Sequence, residues 1–387
     1  MIYGERIVKT PIRWGMVGGG YGGQIGYSHR SAALRDFGFD LLAGAFDIDY
    51  ERGKAFGAEL HVDTDRCYPD YKTMFEAEAK RTDGIQAVSI ATPNFTHFEI
   101  SKCALESGLH VICEKPLCFT VQEARELLAT AEKKNRVFAV TYGYSGYQMI
   151  EEARQLIANG NLGEIRIVNM QFAHGYNNTA VESDVPGQKW RVDPKFAGPS
   201  FVLGDVGTHV LYLAEVMVPD LKIIKLICTR QSFVKSRAPL EDNAYTIMKY
   251  SNGAVGTVWS SSVNAGSMHS QKIRVIGEKA SVEWWDEHPN QLVYEVQGKP
   301  SQTLERGMGY LSDETLRYDR LGGGHAEGYF EAWSNLYRKF AWAMIAKEEG
   351  KSVDFWYPDI KAGLEGVRWV ENCVRSADNG ETWVDYQ

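Results

Sequence analysis

The sequence predicts an α/β protein built from two domains. A glycine-rich loop stands between a strand-like run and a helix-compatible segment near the N-terminus, strands and helices alternate up to about residue 142, and alternating strands dominate from residue 221 onward. The first two features are typical of a doubly wound parallel sheet and the third of an antiparallel sheet. A chain of 387 residues is long enough for two such domains.

Charge and composition narrow the range of partners. A formal charge of −8 argues against a nucleic acid, because a phosphate backbone needs clustered cationic surface. The N-terminus lacks the apolar core of a signal peptide, and no apolar run approaches the length of a membrane span. Six scattered cysteines show no paired CxxC spacing. We therefore expect a reduced, cytoplasmic chain with no metal site and with neither a nucleic acid nor a membrane as partner.

The glycine loop has the spacing of a dinucleotide site. Gly18, Gly20 and Gly23 follow the strand predicted over 12–17 and precede a helix predicted over 24–37. In this context Gly18 permits a tight turn, Gly20 lets the backbone approach a pyrophosphate, and Gly23 lets the helix pack close to the strand. The helix N-terminus favours the phosphate charge. Tyr21, inside the loop, is a further candidate cofactor contact.

An acidic residue ends the second predicted strand. Asp47 follows the run 41–46 at roughly the spacing expected of the carboxylate that binds the adenosine ribose. Asp49 lies two residues further on, so a 2′-phosphate would meet two carboxylates, and NAD is favoured over NADP. The alternative is that Asp47 caps the helix predicted over 50–59.

Two further loops follow predicted parallel strands, at the edge where ligands bind in such sheets. After the strand 85–90, candidate cofactor contacts are Thr92, Pro93, Asn94 and His97. The alternative for His97 is a helix-start cap or a ribose contact without a chemical role.

After the strand 109–113 come Glu114 and Lys115, followed by Pro116. Lys115 is predicted to bind a substrate oxygen beside the nicotinamide and, with its pKa lowered by desolvation, to take part in proton transfer. The alternative is a salt-bridged loop lysine. A strand over 136–142 closes the first domain, which gives domains 1–142 and 143–387.

A possible proton-handling pair lies in the second domain. Asp205 and His209 stand four residues apart at the start of an apolar segment, 210–217. On a helix this spacing puts a carboxylate and an imidazole on one face. Taken alone, a capping aspartate followed by a structurally satisfied histidine is the more common meaning.

Together these motifs resemble the Gfo/Idh/MocA family of oxidoreductases, from about Ile12 to the C-terminus. The resemblance rests on the glycine loop, on Ala-Thr-Pro-Asn at 91–94, on Glu-Lys-Pro at 114–116 and on Asp205 with His209. It implies a Rossmann domain followed by an α/β domain with a large, open, mostly antiparallel sheet that forms a dimer or tetramer interface. It further implies that Lys115, Asp205 and His209 are catalytic and that the substrate is a cyclic polyol.

The sequence departs from the family pattern at two places. Tyr212 stands where an aspartate is frequent, and the segment 142–147 contains no arginine although Tyr-Arg is common there. Substrate contacts are predicted from Tyr144, from His174, Trp190 and Arg191 in a polar, aromatic loop, and from His325 in a glycine-rich segment before a helix. For His325 a helix-start cap is an equal alternative.

We therefore predict an NAD-dependent dehydrogenase that oxidises a ring hydroxyl of a sugar, anhydrosugar, glycoside or inositol. Two alternatives stay open. One is a lyase or glycosidase that oxidises its substrate transiently with bound NAD, using Tyr176 or His325 as an additional acid or base. The other is a catalytically inactive ligand sensor, which the presence of Lys115, Asp205 and His209 disfavours.

Overall fold

The computed structural model describes residues 6–184 and 186–387, except for the side chains of 186–188. The described chain forms two compact units. One contains the chain up to Thr141 together with Trp333–Leu364, and the other contains Tyr142–Ala332 together with Glu365–Gln387. The segment 333–364 thus returns to the first unit, whereas the sequence prediction placed all of 143–387 in the second.

The N-terminal unit is built on a parallel sheet of five strands in the order β2-β1-β3-β4-β5. Strands alternate with helices, and each strand–helix–strand crossover returns the chain to the same sheet. The elements are β1 Ile12–Gly18, α1 Gln24–Arg35, β2 Phe39–Ala45, α2 Tyr50–Glu59, α3 Tyr71–Glu78, β3 Ala87–Ala91, α4 His97–Glu106, β4 His110–Cys113, α5 Val121–Lys134 and β5 Phe138–Val140.

The core of this unit explains why a distant segment belongs to it. The strands are buried on both faces, as in other parallel sheets, and β3 is buried at every position. Tyr337, far along the chain, packs edge-on against Trp14 of β1 and Phe39 of β2, with ring centroids 6.2 and 5.4 Å apart. These aromatic contacts fix 333–364 to the N-terminal sheet.

The C-terminal unit is built on a nine-stranded sheet in the order β13-β12-β11-β10-β6-β9-β8-β7-β14. All neighbouring strands are antiparallel except β6 and β9, which are parallel. The remaining elements are α6 Gln148–Ala158, β6 Ile165–Ala173, α7 Pro194–Ala197, α8 Thr208–Met217, β7 Ile223–Gln231, β8 Asn243–Tyr250, β9 Val255–Ser261, β10 Gln271–Gly277, β11 Ala280–Trp285, β12 Gln291–Val296, β13 Gln302–Glu305, α9 Asp313–Leu316, α10 Tyr329–Glu348, α11 Ile360–Asp378 and β14 Val384–Asp385.

The two faces of this sheet differ in what covers them. On one face, buried side chains of β6 pack against α8, which is itself almost entirely buried. On the opposite face, the strand register aligns a row of exposed or half-buried apolar side chains: Ile167, Tyr245, Ile247, Val255 and Trp259. Within the chain described here, no helix is long and apolar enough to cross a membrane.

Candidate active site

The glycine loop of the N-terminal unit leaves no room for side chains. Gly18 has a φ of +77°, and a Cβ there would lie 2.6 Å from the carbonyl oxygen of Ala91. A Cβ on Gly20 would lie 2.6 Å from the carbonyl oxygen of Phe46, to which the Gly20 N–H donates a hydrogen bond of 3.2 Å. Both glycines are therefore required where the loop passes the ends of β2 and β3.

The close approach between the loop and α1 lies one turn beyond the predicted glycine. A Cβ on Gly23 would stay 3.1 Å from its nearest neighbours, whereas a Cβ on Gly26 would overlap the carbonyl oxygen of Gly19. The packing role assigned to Gly23 thus falls mainly on Gly26, which the sequence motif does not include. Arg30 of the same helix donates a hydrogen bond of 2.8 Å to the Gly19 carbonyl and holds the loop on the helix.

The structure separates two roles that the sequence left open for Asp47. The N-cap of α2 is Asp49, whose side chain accepts the N–H of Arg52 at 3.1 Å. Asp47 is half-buried, accepts the N–H of Asp49 at 3.1 Å and lies 3.4 Å from the Arg52 guanidinium. Arg52 also donates to the carbonyl of Tyr21, so the two predicted contacts Asp47 and Tyr21 are linked at one edge of the loop.

His97 ties together the two loops that follow β3 and β4. Its ring is fully buried, with Nδ1 2.8 Å from the carbonyl oxygen of Pro116 and Nε2 2.9 Å from that of Thr92. Burial lowers the pKa of His97, although the two carbonyl groups oppose this effect. Pro93 and the single turn Asn94–Thr96 stand between the partners. His97 is therefore a buried link between the two loops, which differs from both of its sequence interpretations.

Glu114 is a buried carboxylate with several partners. Thr141 donates a short hydrogen bond to it, and Nε2 of His29 lies 3.2 Å from the same oxygen. Burial alone would raise the pKa of Glu114, but His29, Lys115 and Thr141 together bring that pKa below its ordinary value. Lys115 itself is half-buried and is joined to Pro116 by a cis peptide bond.

A chain of buried polar groups extends behind Glu114. The His29 ring, through Nδ1, lies 2.5 Å from the Tyr337 hydroxyl, which is 2.8 Å from the hydroxyl of Ser89. Ser89 in turn accepts a hydrogen bond of 2.9 Å from the indole of Trp14. All of these side chains are almost completely buried. No local sequence pattern predicts this network, because its members come from four distant segments.

In the C-terminal unit, Asp205 and His209 lie where a π-helical turn becomes an α-helix. Asp205 sits in the π-turn Leu203–Gly207, and His209 in the first turn of α8. Such turns frequently occur at functional sites. The apolar helix therefore begins two residues earlier than the segment 210–217 suggested.

The buried carboxylate of Glu241 holds this π-turn in place through hydrogen bonds. One oxygen of Glu241 accepts hydrogen bonds from the Ser200 hydroxyl at 2.5 Å and from the N–H groups of Phe201 and Leu203, each at 3.1 Å. The other oxygen lies 3.0 Å from Arg230. The negative charge also complements the N-terminal end of the helix. Glu241 is therefore a support for the turn that carries Asp205.

Aromatic rings surround His209. The ring centroids of Tyr144, Tyr142 and Phe172 lie 4.9, 5.9 and 6.1 Å from that of His209. Tyr212, which replaces the more frequent aspartate, stacks on Tyr142 at a centroid distance of 4.8 Å. The departure at Tyr212 thus contributes to the aromatic wall around His209.

Tyr144 is linked to a second histidine that the sequence analysis did not single out. Its hydroxyl lies 3.1 Å from Nε2 of His269, and Nδ1 of the same ring makes a short hydrogen bond to the carboxylate of Asp286. Glu287 accepts the backbone N–H of His269 at 3.2 Å. Burial raises the pKa of the Tyr144 phenol well above its ordinary value.

Other predicted substrate contacts lie on the loops of the C-terminal unit. His174 is buried, with its ring centroid 6.1 Å from that of Phe172, so it adjoins the aromatic cluster. The guanidinium of Arg191 stacks over Trp190, 4.6 Å from the ring centroid. These placements leave the predicted roles of the three loop residues as predictions.

His325 and Glu327, two positions apart in the chain, have opposite environments. His325 is exposed, and its Nδ1 lies 3.3 Å from the carbonyl oxygen of Gly322. Glu327 is buried against Arg306, which also pairs with Asp319 at 2.8 Å. Arg306 thus anchors the glycine-rich segment, and the contact predicted for His325 stays a prediction.

The N-terminal unit has the features of a dinucleotide-binding domain. A tight glycine loop opens a helix, and carboxyl groups and polar loops cluster at the carboxyl ends of the parallel strands, where nucleotides bind in such sheets. NAD fits this arrangement, because the loop glycines leave the backbone accessible and Asp47 is not consumed as a helix cap. Among the described residues, no group of three metal-ligating side chains is present. The fold and site define an NAD-binding oxidoreductase.

The chain belongs to the Gfo/Idh/MocA oxidoreductase family. Residues 12–142 match the family's NAD-binding Rossmann fold, and residues 154–386 match its C-terminal alpha/beta domain. The enzyme class is that of NAD-dependent dehydrogenases acting on hydroxyl groups of polyols or sugars. The predicted family, fold class and cofactor are thus confirmed.

Three relatives illustrate this membership. An inositol dehydrogenase homologue from Azotobacter vinelandii is 66% identical in its NAD+ complex and 65% identical in its complex with NADH and myo-inositol, with TM-scores of 0.98 and 0.95 and complete coverage of both chains. An uncharacterized oxidoreductase of Bacillus subtilis, YfiI, is 58% identical over the full length of both chains. Levoglucosan dehydrogenase from Pseudarthrobacter phenanthrenivorans is 26% identical over 78% of this chain and 80% of the relative.

Proposed function

We propose that this enzyme oxidises a ring hydroxyl of a cyclitol, with an inositol as the leading substrate, to the corresponding ketone with NAD. The support comes from the similarity over the full chain to a structure holding NADH and myo-inositol. Pyranoses, anhydrosugars and glycosides are the competing substrates within the same class.

The observation that carries the proposal is the environment of His209. A carboxylate, Asp205, lies in a π-turn that Glu241 anchors, an imidazole, His209, lies in the helical turn that follows, and aromatic rings surround the imidazole. Aromatic faces suit the C–H surface of a cyclic polyol, while histidine, tyrosine and carboxylate groups suit its hydroxyls. A phosphorylated sugar would instead need cationic side chains.

In the proposed reaction, His209 acts as the general base. It takes the proton of the reacting hydroxyl while the C–H bond of the same carbon gives up a hydride, so that a ketone forms. Asp205 orients the imidazole and stabilises its positive charge. Lys115 stabilises the negative charge that develops on the substrate oxygen. The bound nicotinamide supplies the hydride acceptor. The shared role of Lys115, Asp205 and His209 in one reaction rests on the family resemblance.

On the cofactor side, each residue has a proposed task. Asp47 receives the adenosine ribose hydroxyls, and the backbone between Gly18 and Gly23 receives the pyrophosphate. The remaining proposed contacts line the loops after β3 and β4 and the glycine loop: Tyr21, Thr92, Pro93, Asn94, Glu114 and Lys115. We assign His97 to positioning these loops, because both of its ring nitrogens face backbone carbonyls.

On the substrate side, we propose contacts from Tyr144, His174, Trp190, Arg191 and His325, in addition to the catalytic residues. We further propose that the exposed apolar row on the large sheet, which includes Ile167, Tyr245 and Ile247, pairs with a second copy in a dimer or tetramer.

The six free cysteines suit a reducing compartment, and we place the enzyme in the cytoplasm.

The experiment that tests this proposal measures NADH at 340 nm with purified enzyme, NAD and a panel of inositols, free pyranoses, anhydrosugars and glycosides. Saturable NADH formation that is strongest with an inositol is the expected result. Higher kcat/KM on a pyranose or anhydrosugar would move the assignment to that ring class. NADH below one equivalent per enzyme on every compound would contradict a net dehydrogenase.

A further inference from the structure

We propose that His269, held by Asp286, is a positioning residue that sets the hydrogen-bond polarity of Tyr144, so that the Tyr144 oxygen accepts a hydrogen bond from a second hydroxyl of the polyol. This inference rests on the proposed function. It concerns a hydroxyl other than the one that is oxidised, and therefore substrate selection rather than the chemical step.

The direction of each hydrogen bond follows from what each group can donate. The carboxylate of Asp286 only accepts, so Nδ1 of His269 carries the proton in the short hydrogen bond between them. In the neutral ring, Nε2 is then an acceptor and lies 3.1 Å from the Tyr144 hydroxyl. The Tyr144 O–H therefore donates to His269, and the lone pairs of the phenol oxygen remain to accept from another group.

The surrounding contacts hold this chain in place. The second oxygen of Asp286 accepts the backbone N–H of Gln271 at 3.1 Å, so the carboxylate cannot rotate without losing a hydrogen bond. The His269 ring packs against Phe172 with centroids 4.5 Å apart. Burial raises the pKa of Tyr144 well above its ordinary value, which keeps the proton that Tyr144 donates. A side chain that is already fixed loses less conformational entropy when the substrate binds than a mobile one does.

The position of Tyr144 connects this chain to the proposed base. The rings of Tyr144 and His209 lie edge to face, with centroids 4.9 Å apart and an interplanar angle of 86°. A cyclic polyol carries hydroxyls on neighbouring carbons. A substrate whose reacting hydroxyl meets His209 would thus bring another hydroxyl towards Tyr144. Stereoisomers that turn this hydroxyl away would lose the hydrogen bond.

Asp286→Asn gives the sharpest test, because it preserves the shape of the side chain and reverses the direction of its hydrogen bond with His269. An asparagine side chain can donate its amide N–H to Nδ1, which moves the imidazole proton to Nε2 and makes His269 a donor to Tyr144. Glu287→Gln is the matched control, since Glu287 accepts hydrogen bonds from the backbone N–H groups of His269 and Ser270, which a glutamine oxygen can also accept. Both variants replace one carboxylate by an amide at adjacent positions.

The readout is the Kd of myo-inositol for the NADH-loaded enzyme, measured by titration calorimetry, alongside KM and kcat. Tyr144→Phe, which removes the hydrogen bond to the polyol, and Asp286→Asn, which forces the polyol hydroxyl to accept from Tyr144 instead of donating to it, are each expected to raise the Kd about tenfold or more. The Kd for NADH should stay unchanged. The double variant should bind no more weakly than the weaker-binding single variant, because both substitutions act on the same interaction. Glu287→Gln should bind the polyol as the unmodified enzyme does.

A set of monodeoxy-inositols identifies the hydroxyl involved. For the analogue that lacks the hydroxyl facing Tyr144, the unmodified enzyme and Asp286→Asn should bind equally well, while the other analogues should retain the tenfold difference. Equal losses across all analogues, or an unchanged polyol Kd in Asp286→Asn, would overturn the inference. If polyol binds and responds in this way without NADH formation, the proposed dehydrogenase reaction fails and the inference stands. Absence of saturable binding by every polyol would overturn both.

Discussion

The imidazole of His29 lies 3.2 Å from the carboxylate of Glu114, the residue that directly precedes Lys115. The other ring nitrogen of His29 meets the hydroxyl of Tyr337 at 2.5 Å. A helix residue from the start of the Rossmann unit and a residue 308 positions later thus support the same loop. This arrangement makes the position of Lys115 depend on long-range packing as well as on its own loop.

Replacement of Tyr337 by phenylalanine tests this buried network. The change leaves Ser89 and His29 without a shared partner in a fully buried site, so we expect the free energy of unfolding to fall by about 1–3 kcal/mol. Urea denaturation gives the value. Tyr310→Phe removes an exposed hydroxyl that accepts a single backbone hydrogen bond and should change stability by less than about 0.5 kcal/mol. Equal effects of both variants would show that the network adds no stability.

Because of His110, the free energy of unfolding should decrease as the pH becomes mildly acidic. It is buried, and its Nδ1 accepts the N–H of Val137 at 2.9 Å, so the neutral ring fits the site. Burial, reinforced by the charge of Arg136, lowers the pKa of His110 to about 4. Because the unfolded chain takes up the proton first, this contribution is complete above about pH 6.5 and is lost as pH falls towards 4.

The test compares unfolding free energies between pH 7 and pH 4.5 for the unmodified protein and for His110→Gln. We expect the unmodified protein to lose up to about 3 kcal/mol more than the variant over the titration. His61→Asn is the control, because His61 is exposed and asparagine tolerates its left-handed backbone. Parallel pH curves for the unmodified protein and His110→Gln would refute the assignment.

Glu241→Gln tests the support of the π-turn that carries Asp205. Loss of the charge weakens the contact with Arg230 and the hydrogen bonds to the backbone before Asp205, so stability should fall by about 1–3 kcal/mol. A displaced turn should lower kcat about tenfold or more while leaving NAD affinity unchanged. Glu283→Gln, at a half-exposed pair 3.5 Å from Arg274, should have little effect on either quantity. Unchanged kcat in Glu241→Gln would leave Glu241 with a purely structural role.

Asp47→Ala and Asp49→Ala separate cofactor recognition from helix capping. Asp47→Ala should raise the KM for NAD about tenfold or more and relax discrimination against NADP, because it removes a charged partner of the ribose hydroxyls. Asp49→Ala should instead cost about 1 kcal/mol of stability by removing the cap of α2, with the cofactor preference retained. Steady-state kinetics with both cofactors decide this. The opposite pattern would make Asp49 the ribose contact.

Local patterns indicate those candidate site residues that lie within short segments. The glycine loop, Asp47 and the pair Asp205–His209 each occur within a few residues, and their spacing carries the chemical information. Strand positions in the first unit were predictable for the same reason, because a buried parallel strand reads as a short apolar run between turn residues.

The remainder depends on contacts that no local pattern contains. His29 and Tyr337 meet only because the chain returns to the first unit after residue 332. Tyr144 and His269 are 125 positions apart and become partners through the large sheet. Gly26 was missed because the steric need arises from the carbonyl of Gly19, which spacing alone does not reveal. The helix predicted from residue 50 already places Asp49 at its N-cap position, and Asp49 rather than Asp47 is the cap of α2.

The most direct test of the proposed function is the initial rate of NADH formation from myo-inositol by the unmodified enzyme, by His209→Asn and by Lys115→Ala, with NAD binding measured in parallel. We expect saturable turnover by the unmodified enzyme and at least a roughly hundredfold loss of kcat in both variants, with NAD affinity largely retained. Turnover that survives both substitutions, or an unmodified enzyme that binds NAD yet oxidises no cyclitol, would contradict the assignment.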